Sequence, residues 1–208
     1  MKTSKHGLWL GLATVVAAAG LFVPTASAGL RVHLGLLPSC GKTSQPFLHW
    51  GDSASYCSFP NLGFESGEAG WAVSGTTSVA AANEPWHVSG PGTQSLELAP
   101  GATALSSPLP VNLLDPWIRF FARSNDANGA LHVQVLFRGI LGNLTGLLNF
   151  GSLSSSDYSS WQPTPRVLSA LALPLFTSTA QVEVTSEARS GDWQIDDVYL
   201  DPRVVRLG

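Results

Sequence analysis

Short runs of strand-forming residues, separated by turn residues at intervals of roughly ten positions, dominate the chain from Asn61 onward. Within the clearest run, residues 131–137, every second residue is apolar, which is the period of a half-buried strand. No stretch shows the strand–helix–strand alternation of a parallel sheet. The pattern therefore predicts an all-β fold, a single antiparallel β-sandwich. The predicted strands are residues 71–74, 77–80, 94–98, 103–107, 118–122, 131–137, 144–150, 161–168, 181–185 and 193–202.

The last run, residues 193–202, has apolar residues and a carboxylate on both faces. Strict alternation places Trp193, Ile195, Asp197 and Tyr199 on one face, and Gln194, Asp196, Val198 and Leu200 on the other. Whichever face meets the core therefore brings an aspartate with it. A buried carboxylate without partners is strongly unfavourable, so this aspartate needs a cation or several hydrogen-bond donors. We expect this run to be the closing strand of the sandwich, held by a metal ion.

The start of the chain has the features of an export signal. Lys2 and Lys5 precede an uncharged apolar run over residues 8–23, and residues 25–28 provide the small residues of a cleavage site. A retained membrane helix is the alternative, but this run falls short of the roughly 20 residues that span a bilayer. No later segment is long and apolar enough to do so. We predict a signal peptide over residues 1–28 and a secreted, extracellular protein.

Cleavage after Ala28 leaves a mildly acidic chain. Lys2 and Lys5 account for two of the eleven Lys and Arg residues, so nine remain against fourteen Asp and Glu, a formal charge of −5. The chain has no cluster of Lys or Arg. Nucleic acids and anionic membranes are therefore poor candidates for a partner.

Residues 29–60 lack a clear period and are interrupted repeatedly by Gly and Pro. This composition predicts an irregular leader before the sandwich domain of residues 61–203. The leader contains Cys40 and Cys57, and an even count in an exported protein makes a disulfide between them the default. It would close a loop of about 17 residues, worth on the order of 3 kcal/mol in the chain-entropy model. A metal or redox pair is the alternative, although the spacing is too wide for a C-x-x-C motif.

Two motifs at the ends of the predicted sandwich give the chain a family resemblance. Residues 61–65 read N-L-G-F-E and are followed by Gly70 and Trp71, and residues 193–200 read W-Q-I-D-D-V-Y-L. In these motifs the chain resembles the carbohydrate-binding modules of the galactose-binding-like jelly-roll type. It also resembles exported proteins of high-GC Gram-positive bacteria that share a Cys-containing leader. The elements shared with those proteins are Trp50-Gly51-Asp52, Asn83-Glu84-Pro85, residues 119–123 and residues 161–165.

In the resembling modules, a structural calcium commonly lies where the first and last strands meet. The resemblance assigns its ligands to Glu65, to Asp196 or Asp197, and to backbone carbonyls. Calcium takes about six to eight oxygen ligands, carboxylates among them, so these residue types suit it. The alternative is that the three carboxylates are solvated or accept hydrogen bonds from turn amides.

A hairpin from Trp117 to Arg138 is the candidate binding surface. If Ile118, Phe120 and Ala122 face the core, the outward face combines aromatic rings with guanidinium groups, which suits stacking on sugar rings. The resemblance likewise implies a glycan on the concave sheet. The alternatives are a solvated face covered by Arg stems, or packing beneath the leader. The outward residues are Trp117, Arg119, Phe121 and Arg123 on one strand, and His132, Gln134, Leu136 and Arg138 on the other.

Trp86 lies in a Pro-containing loop, residues 83–87, where it could cap a ligand cleft or pack over the edge of the sandwich. No nucleophile-elbow, zinc-protease or P-loop motif is present. Nothing in the sequence selects a pair of glycosidase carboxylates among Glu84, Glu97 and Glu183. We therefore predict a non-catalytic, exported module that binds cell-wall or extracellular glycan and is stabilised by calcium. The alternative is a structural or surface domain that contacts proteins and has no sugar site.

Overall fold

Strands make up most of the regular structure in the part of the chain that is described. Two short 3₁₀ turns, Leu48–Trp50 and Ser155–Tyr158, accompany them. In chain order the strands are β1 (Thr43–Ser44), β2 (Tyr56–Ser58), β3 (Ala72–Ser74), β4 (Thr77–Ala80), β5 (Ser95–Leu98), β6 (Thr103–Leu105), β7 (Leu109–Pro110), β8 (Trp117–Ser124), β9 (Ala130–Gly139), β10 (Leu144–Ser154), β11 (Gln162–Pro163), β12 (Val167–Leu168), β13 (Thr177–Ser186) and β14 (Trp193–Asp201).

The computed structural model describes residues 43–58, 61, 63–110, 117–165, 167–168 and 177–201. All of them belong to one of the two compact units into which the chain divides, residues 35–208. The predicted signal peptide and Cys40 lie outside the described residues, as does the side chain of Cys57, so the disulfide stays a prediction. Across the described ranges, no helix has the length and apolar character that crossing a membrane requires.

The strands form two antiparallel sheets that face each other across one core. The core is filled from both sheets, by Phe120 and Trp193 on one side and by Val133 and Val182 on the other, each at most 1% exposed. The predicted all-β antiparallel sandwich is confirmed. Sheet A contains β1, β2, β4, β5, β8, β11, β12 and β14, and sheet B contains β3, β6, β7, β9, β10 and β13.

Strand β14 lies at the centre of sheet A and changes partner halfway along. On one side it pairs with β8 from Trp193 to Asp201. On the other side it pairs first with β5, through Ile195, and then with β2, through Tyr199. The register with β8 shifts between Asp196 and Tyr199, which marks a β-bulge at the point where the partner changes.

The bulge decides which face each later residue of β14 takes. Trp193, Ile195 and Val198 all lie in the core between the sheets, whereas Tyr199 lies in a second apolar cluster outside sheet A. The predicted alternation placed Tyr199 on the same face as Trp193, and Val198 on the other face. That prediction was wrong for the residues after Ile195. An extra residue in a strand moves every following side chain to the opposite face.

The predicted hairpin between β8 and β9 is also wrong. β8 belongs to sheet A, where it pairs with β14, and β9 belongs to sheet B, where it pairs with β10 and β13. The connection through residues 125–129 crosses from one sheet to the other. Turn residues signal that the chain reverses, but they do not determine which sheet receives the next strand. The inward residues of both strands were predicted correctly, since Ile118, Phe120 and Val133 all lie in the core.

The described part of the leader is packed on the outer face of sheet A. Its two short strands pair with each other, and β2 extends the sheet beside β14. Phe47 and Tyr56 are fully buried in the second cluster, where the ring of Phe47 stacks on that of Phe121 with centroids 5.2 Å apart. Aromatic contacts of this kind add to the stabilisation from buried area. The leader therefore covers part of the predicted binding surface on β8.

Candidate functional site

The bulge of β14 brings carboxylates together at one corner of the sandwich, and we call Glu65, Glu84, Asp196 and Asp197 the acidic corner. Glu84, Asp196 and Asp197 are buried, and Glu65 is exposed. Among the described residues, the only ion pair lies elsewhere, between Arg119 and Asp52. The corner therefore carries negative charge that no described cationic side chain neutralises by direct pairing.

Backbone amides satisfy two of the buried carboxylates. The N–H of Glu84 donates to Oδ2 of Asp196 over 3.2 Å, and the N–H of Asp197 donates to Oδ1 of Asp196 over 2.8 Å. The carboxylate of Glu84 accepts the N–H groups of Trp86 and Val88, each at 2.6 Å. Charge-assisted bonds of this length are strong, and they lock the 84–88 loop against the bulge.

Asp197 has one unsatisfied carboxylate oxygen in the corner. Its φ of +47° places it in the left-handed region, and its Oδ2 is buried without a hydrogen-bond partner among the described residues. The hydroxyl of Tyr199 is likewise buried without a hydrogen-bond partner among the described residues. Unpaired buried polar atoms are rare in folded proteins, so Oδ2 of Asp197 is the acceptor in this corner that is available to a further donor or a cation.

Burial and mutual repulsion shift the acidities in the corner. Burial, with the neighbouring charge of Asp197, raises the pKa of Asp196 from 3.8 to about 9. Burial also raises the pKa of Asp197 to about 6, where hydrogen bonds from Ser89 work in the opposite direction. Burial and the charges of these carboxylates raise the pKa of the Tyr199 hydroxyl. A bound cation would relieve all of these costs.

Of the predicted ligands, Asp196 and Asp197 lie beside Gly63, two residues before the third predicted ligand, Glu65. A Cβ added to Gly63 would lie 2.7 Å from Oδ1 of Asp197, so the backbone at position 63 approaches Asp197 this closely because the residue is glycine. Oε1 of Glu65, however, accepts the N–H groups of Thr93 and Gln94 at 2.7 and 2.9 Å. Glu65 therefore accepts hydrogen bonds from backbone amides, which is the alternative to metal binding that the sequence left open for it.

The donor chemistry of the corner fits a calcium ion in part. The described residues contain no set of three or more His, Cys, Asp or Glu side chains arranged to hold a metal. Asp197 offers a carboxylate oxygen without a hydrogen-bond partner, and the neighbouring carboxylates add negative charge. Calcium also accepts backbone carbonyls as ligands. Sequence reasoning missed Glu84 here, because only the fold brings it to Asp196, 112 positions away.

The predicted binding residues of β8 do not form an open face. Arg119 is 8% exposed and Phe121 is fully buried, both beneath the leader. The alternative of packing under the leader therefore holds for these two residues. Arg123, near the end of β8, is half-buried, and the side chain of Trp117 lies outside the described residues.

Trp86 packs over the edge of the covered face. Its ring lies 4.6 Å from that of Trp50 and 5.8 Å from that of Phe121, measured between centroids. It remains half-buried, and the neighbouring His49 is exposed. Trp86 therefore joins the loop of Glu84 to the leader.

The predicted residues of β9 lie on the outer face of sheet B. His132 is exposed, Gln134 and Arg138 are half-buried, and all three point away from the core. Ser152 Oγ lies 2.6 Å from Nδ1 of His132, and Nε of Arg138 donates to Oε1 of Gln181. The structure thus separates the eight predicted outward residues into two groups on opposite sheets.

Cross-strand rows organise the outer face of sheet B. The register places Asn149, Gln134 and Glu183 side by side on β10, β9 and β13. A second row consists of Ser152, His132 and Thr185. Neighbouring strands are about 4.8 Å apart, so each row is a ladder of polar groups at that spacing. Sequence reasoning missed the members on β10 and β13 because it assigned β9 the wrong neighbours.

No protein-family profile matches this chain, and no curated protein matches it in sequence. Its fold is similar to that of several solved structures. The family 11 carbohydrate-binding module of the cellulosomal cellulase Lic26A-Cel5E of Clostridium thermocellum has a TM-score of 0.50 and 15% identity, covering 76% of this chain and 100% of that module.

Two enzymes contain a similar domain. The enzymatically active domain of tailspike protein 4 of bacteriophage CBA120 has a TM-score of 0.50 and 13% identity, over 69% of this chain and 21% of that one. The arabinose-bound α-L-arabinofuranosidase MgGH51 has a TM-score of 0.50 and 13% identity, over 72% of this chain and 27% of that one. The chain therefore spans only about a fifth to a quarter of these enzymes. At such identities the likeness shows the fold, and the predicted jelly-roll sandwich is confirmed.

Proposed function

We propose that this chain is an exported, non-catalytic module that binds a glycan along the outer face of sheet B. One observation carries the proposal: this face presents cross-strand rows of amide, carboxylate, imidazole and hydroxyl groups, half-buried or exposed. The leader covers part of the outer face of sheet A instead. The predicted export signal in residues 1–28 would give the chain access to extracellular glycans, which is consistent with this role.

The chemistry of the outer face of sheet B suits a hydroxyl-rich polymer. Sugar hydroxyls donate and accept, and the row of Asn149, Gln134 and Glu183 offers both kinds of partner in a line across three strands. Leu136 and Leu147 lie beside each other in the next row and offer an apolar strip for the sugar ring faces. Since no described residue contributes a Phe, Tyr or Trp ring to this face, we expect the affinity to depend mainly on hydrogen bonds.

The fold comparison supports binding over catalysis. The match covers the whole of the family 11 carbohydrate-binding module, but only 21% and 27% of the two enzymes. The part that this chain shares with those enzymes is therefore a fraction of each. We infer that the chain corresponds to a binding module and needs no catalytic residues of its own.

We also propose that a calcium ion stabilises the acidic corner. Asp197 would supply the unpartnered carboxylate oxygen, with Asp196, Glu65 and backbone carbonyls as the other candidates. The bound ion would neutralise the charge that burial and repulsion now make costly.

The glycan proposal is tested by measuring retention on a panel of plant, bacterial and fungal polysaccharides in affinity electrophoresis. Gln134→Ala and Glu183→Ala are each expected to weaken binding about 2- to 10-fold, because each removes one hydrogen-bonding group worth about 0.5–1.5 kcal/mol. Ser78→Ala is the matched control, since Ser78 is exposed on β4 of sheet A. Retention of none of the polysaccharides, or equal retention of all three variants, would contradict the proposal.

One observation favours the alternative, a domain that contacts other proteins. The tip of the β9–β10 hairpin exposes Ile140 and Leu141 by 78% and 88%, and Leu144 and Leu147 on β10 are more than half exposed. Exposed apolar residues that cluster in this way mark contact surfaces. Failure to bind any polysaccharide would make this second function the better one.

A further inference from the structure

A small polar cavity lies at the end of sheet A, away from the strand rows of sheet B. Its volume is about 210 Å³. It lies between the end of β8, the turn that follows Ser155–Tyr158, and the start of β14. All of its lining residues are polar: Arg123, Ser124, Asn125, Ser159, Asp192 and Gln194.

One wall of the cavity is held by a chain of hydrogen bonds. Nε of Arg123 donates to Oε1 of Gln194 over 2.6 Å, and Nε2 of Gln194 donates to Oε2 of Glu97 over 3.1 Å. These two partners fix the orientation of the Gln194 amide, because its oxygen faces a donor and its nitrogen faces an acceptor. The guanidinium carbon of Arg123 lies 5.3 Å from the ring centroid of Trp161, so a cation–π contact also holds the guanidinium group.

The opposite wall is held by Asn125 and Asp192. The side-chain nitrogen of Asn125 donates to Oδ2 of Asp192 over 3.0 Å, and its backbone N–H donates to the carbonyl of Asp192 over 3.1 Å. No described residue donates to Oδ1 of Asp192. Arg123 and Asp192 line the same cavity, yet the described residues form no ion pair between them. Hydrogen-bonding capacity therefore remains on both walls.

Close backbone contacts keep the two loops of the cavity in place. A Cβ added to Gly191 would lie 2.3 Å from the Cβ of Asp126, and one added to Gly129 would lie 2.0 Å from Oγ of Ser190. The loops that follow β8 and β13 therefore touch at two glycines, where no side chain fits. A site on loops locked in this way loses little entropy when a ligand binds.

We infer that this cavity binds one neutral sugar residue, such as the end or a branch of a glycan, an inference that rests on the proposed carbohydrate-binding function. Hydroxyl groups donate to Asp192 and Asn125 and accept from Arg123, so they match both walls. A carboxylate matches Arg123 alone, and an ammonium group matches Asp192 alone. The volume limits the ligand to about one ring, unlike the extended rows on sheet B.

The test is a nuclear magnetic resonance titration of the mature chain with glucose, galactose, mannose, xylose and arabinose, and with glucuronate and alanine as charged probes. At least one neutral sugar is expected to shift the side-chain signals of Asn125, Gln194 and Arg123, with a Kd of about 1 mM. Stronger shifts from glucuronate or alanine, or no shift from any sugar, would overturn the inference.

Asp192→Asn is expected to weaken the sugar titration about tenfold or more, because it replaces a charged acceptor. Asp157→Asn is the matched control, since Asp157 is an exposed residue of the 3₁₀ turn Ser155–Tyr158, and it is expected to leave the titration unchanged. Equal titrations for both variants would overturn the inference.

Polysaccharide retention separates this inference from the proposed function. Retention of a polysaccharide without shifts at the cavity refutes the cavity site and leaves the sheet B proposal standing. Shifts at the cavity without such retention support the cavity site and refute the sheet B proposal.

Discussion

Replacing Asp52 by alanine is expected to destabilise the folded chain by about 3–5 kcal/mol, the usual cost of leaving a buried charge without its partner. Nη1 of Arg119 donates to Oδ2 of Asp52 over 2.8 Å, and the hydroxyl of Tyr56 donates to the same oxygen over 2.7 Å. Both charged side chains are buried. Removing the carboxylate would leave the Arg119 guanidinium buried against the ring of Phe47, 4.0 Å from its centroid. Equilibrium unfolding in guanidinium chloride measures the change.

Two further variants separate the ion pair from the general cost of mutation. Asp157→Ala removes an exposed carboxylate and is expected to change stability by less than about 0.5 kcal/mol. The double variant Asp52→Ala with Arg119→Met is expected to be more stable than Asp52→Ala alone, since it removes the stranded charge. If the effects of the two substitutions simply add, the ion pair is not what joins the leader to sheet A.

Calcium is expected to raise the melting temperature of the metal-free protein. With a Kd of about 0.1–1 mM, as in extracellular modules, about 10 mM calcium adds roughly 1.4–2.7 kcal/mol of stability. For a chain of this size that corresponds to an increase of about 3–10 °C. Differential scanning calorimetry after treatment with a chelator measures it. Magnesium, which prefers a rigid octahedral site, is the control and is expected to give a smaller shift.

The calcium effect is expected to grow with pH. Asp196 and Asp197 bind protons more tightly in the folded chain, so their contribution is fully present below 3.8. In the metal-free protein this contribution is lost as the pH rises through about 6 for Asp197 and about 9 for Asp196. Calcium binds the ionised carboxylates, so its stabilisation increases over the same window. A calcium shift that stays constant with pH would argue against a site in the acidic corner.

Asp197→Asn provides the matched variant for this experiment. Asparagine tolerates the left-handed backbone of position 197 and keeps the shape of the side chain. Without the buried charge, the metal-free variant is expected to be more stable than the wild type at pH 8 and to have lost the calcium response. A full calcium response in this variant would place the ion elsewhere.

The sequence predicted the sandwich and its core well, because alternation reports burial directly. The prediction matched β4 residue for residue, and the inward residues of β8 and β9 were assigned correctly. Residues 161–168, predicted as one run, form the two short strands β11 and β12 instead. Strand pairing was not predictable in this way, because which strands become neighbours in a sheet depends on contacts between distant parts of the chain.

The acidic corner was predictable in part. The mixed faces of residues 193–202 correctly indicated that an aspartate would be buried. The face that each residue takes depends on the bulge between Asp196 and Tyr199. The alternation of apolar residues in the sequence does not reveal where such a bulge lies. The covering of Arg119 and Phe121 was likewise left open, since the leader has no period that indicates where it packs.

The pairing of β2 with the second half of β14 has a consequence for the solubility of the chain. β5 covers β14 only as far as Ile195, so β2 alone occupies that side at Tyr199 and Leu200. A chain that started at Asn61 would leave this backbone unpaired, next to the uncovered rings of Phe121 and Tyr199. Unpaired strand backbone beside apolar rings is a template for a second chain, so we expect a chain without the leader to aggregate more readily than the full chain.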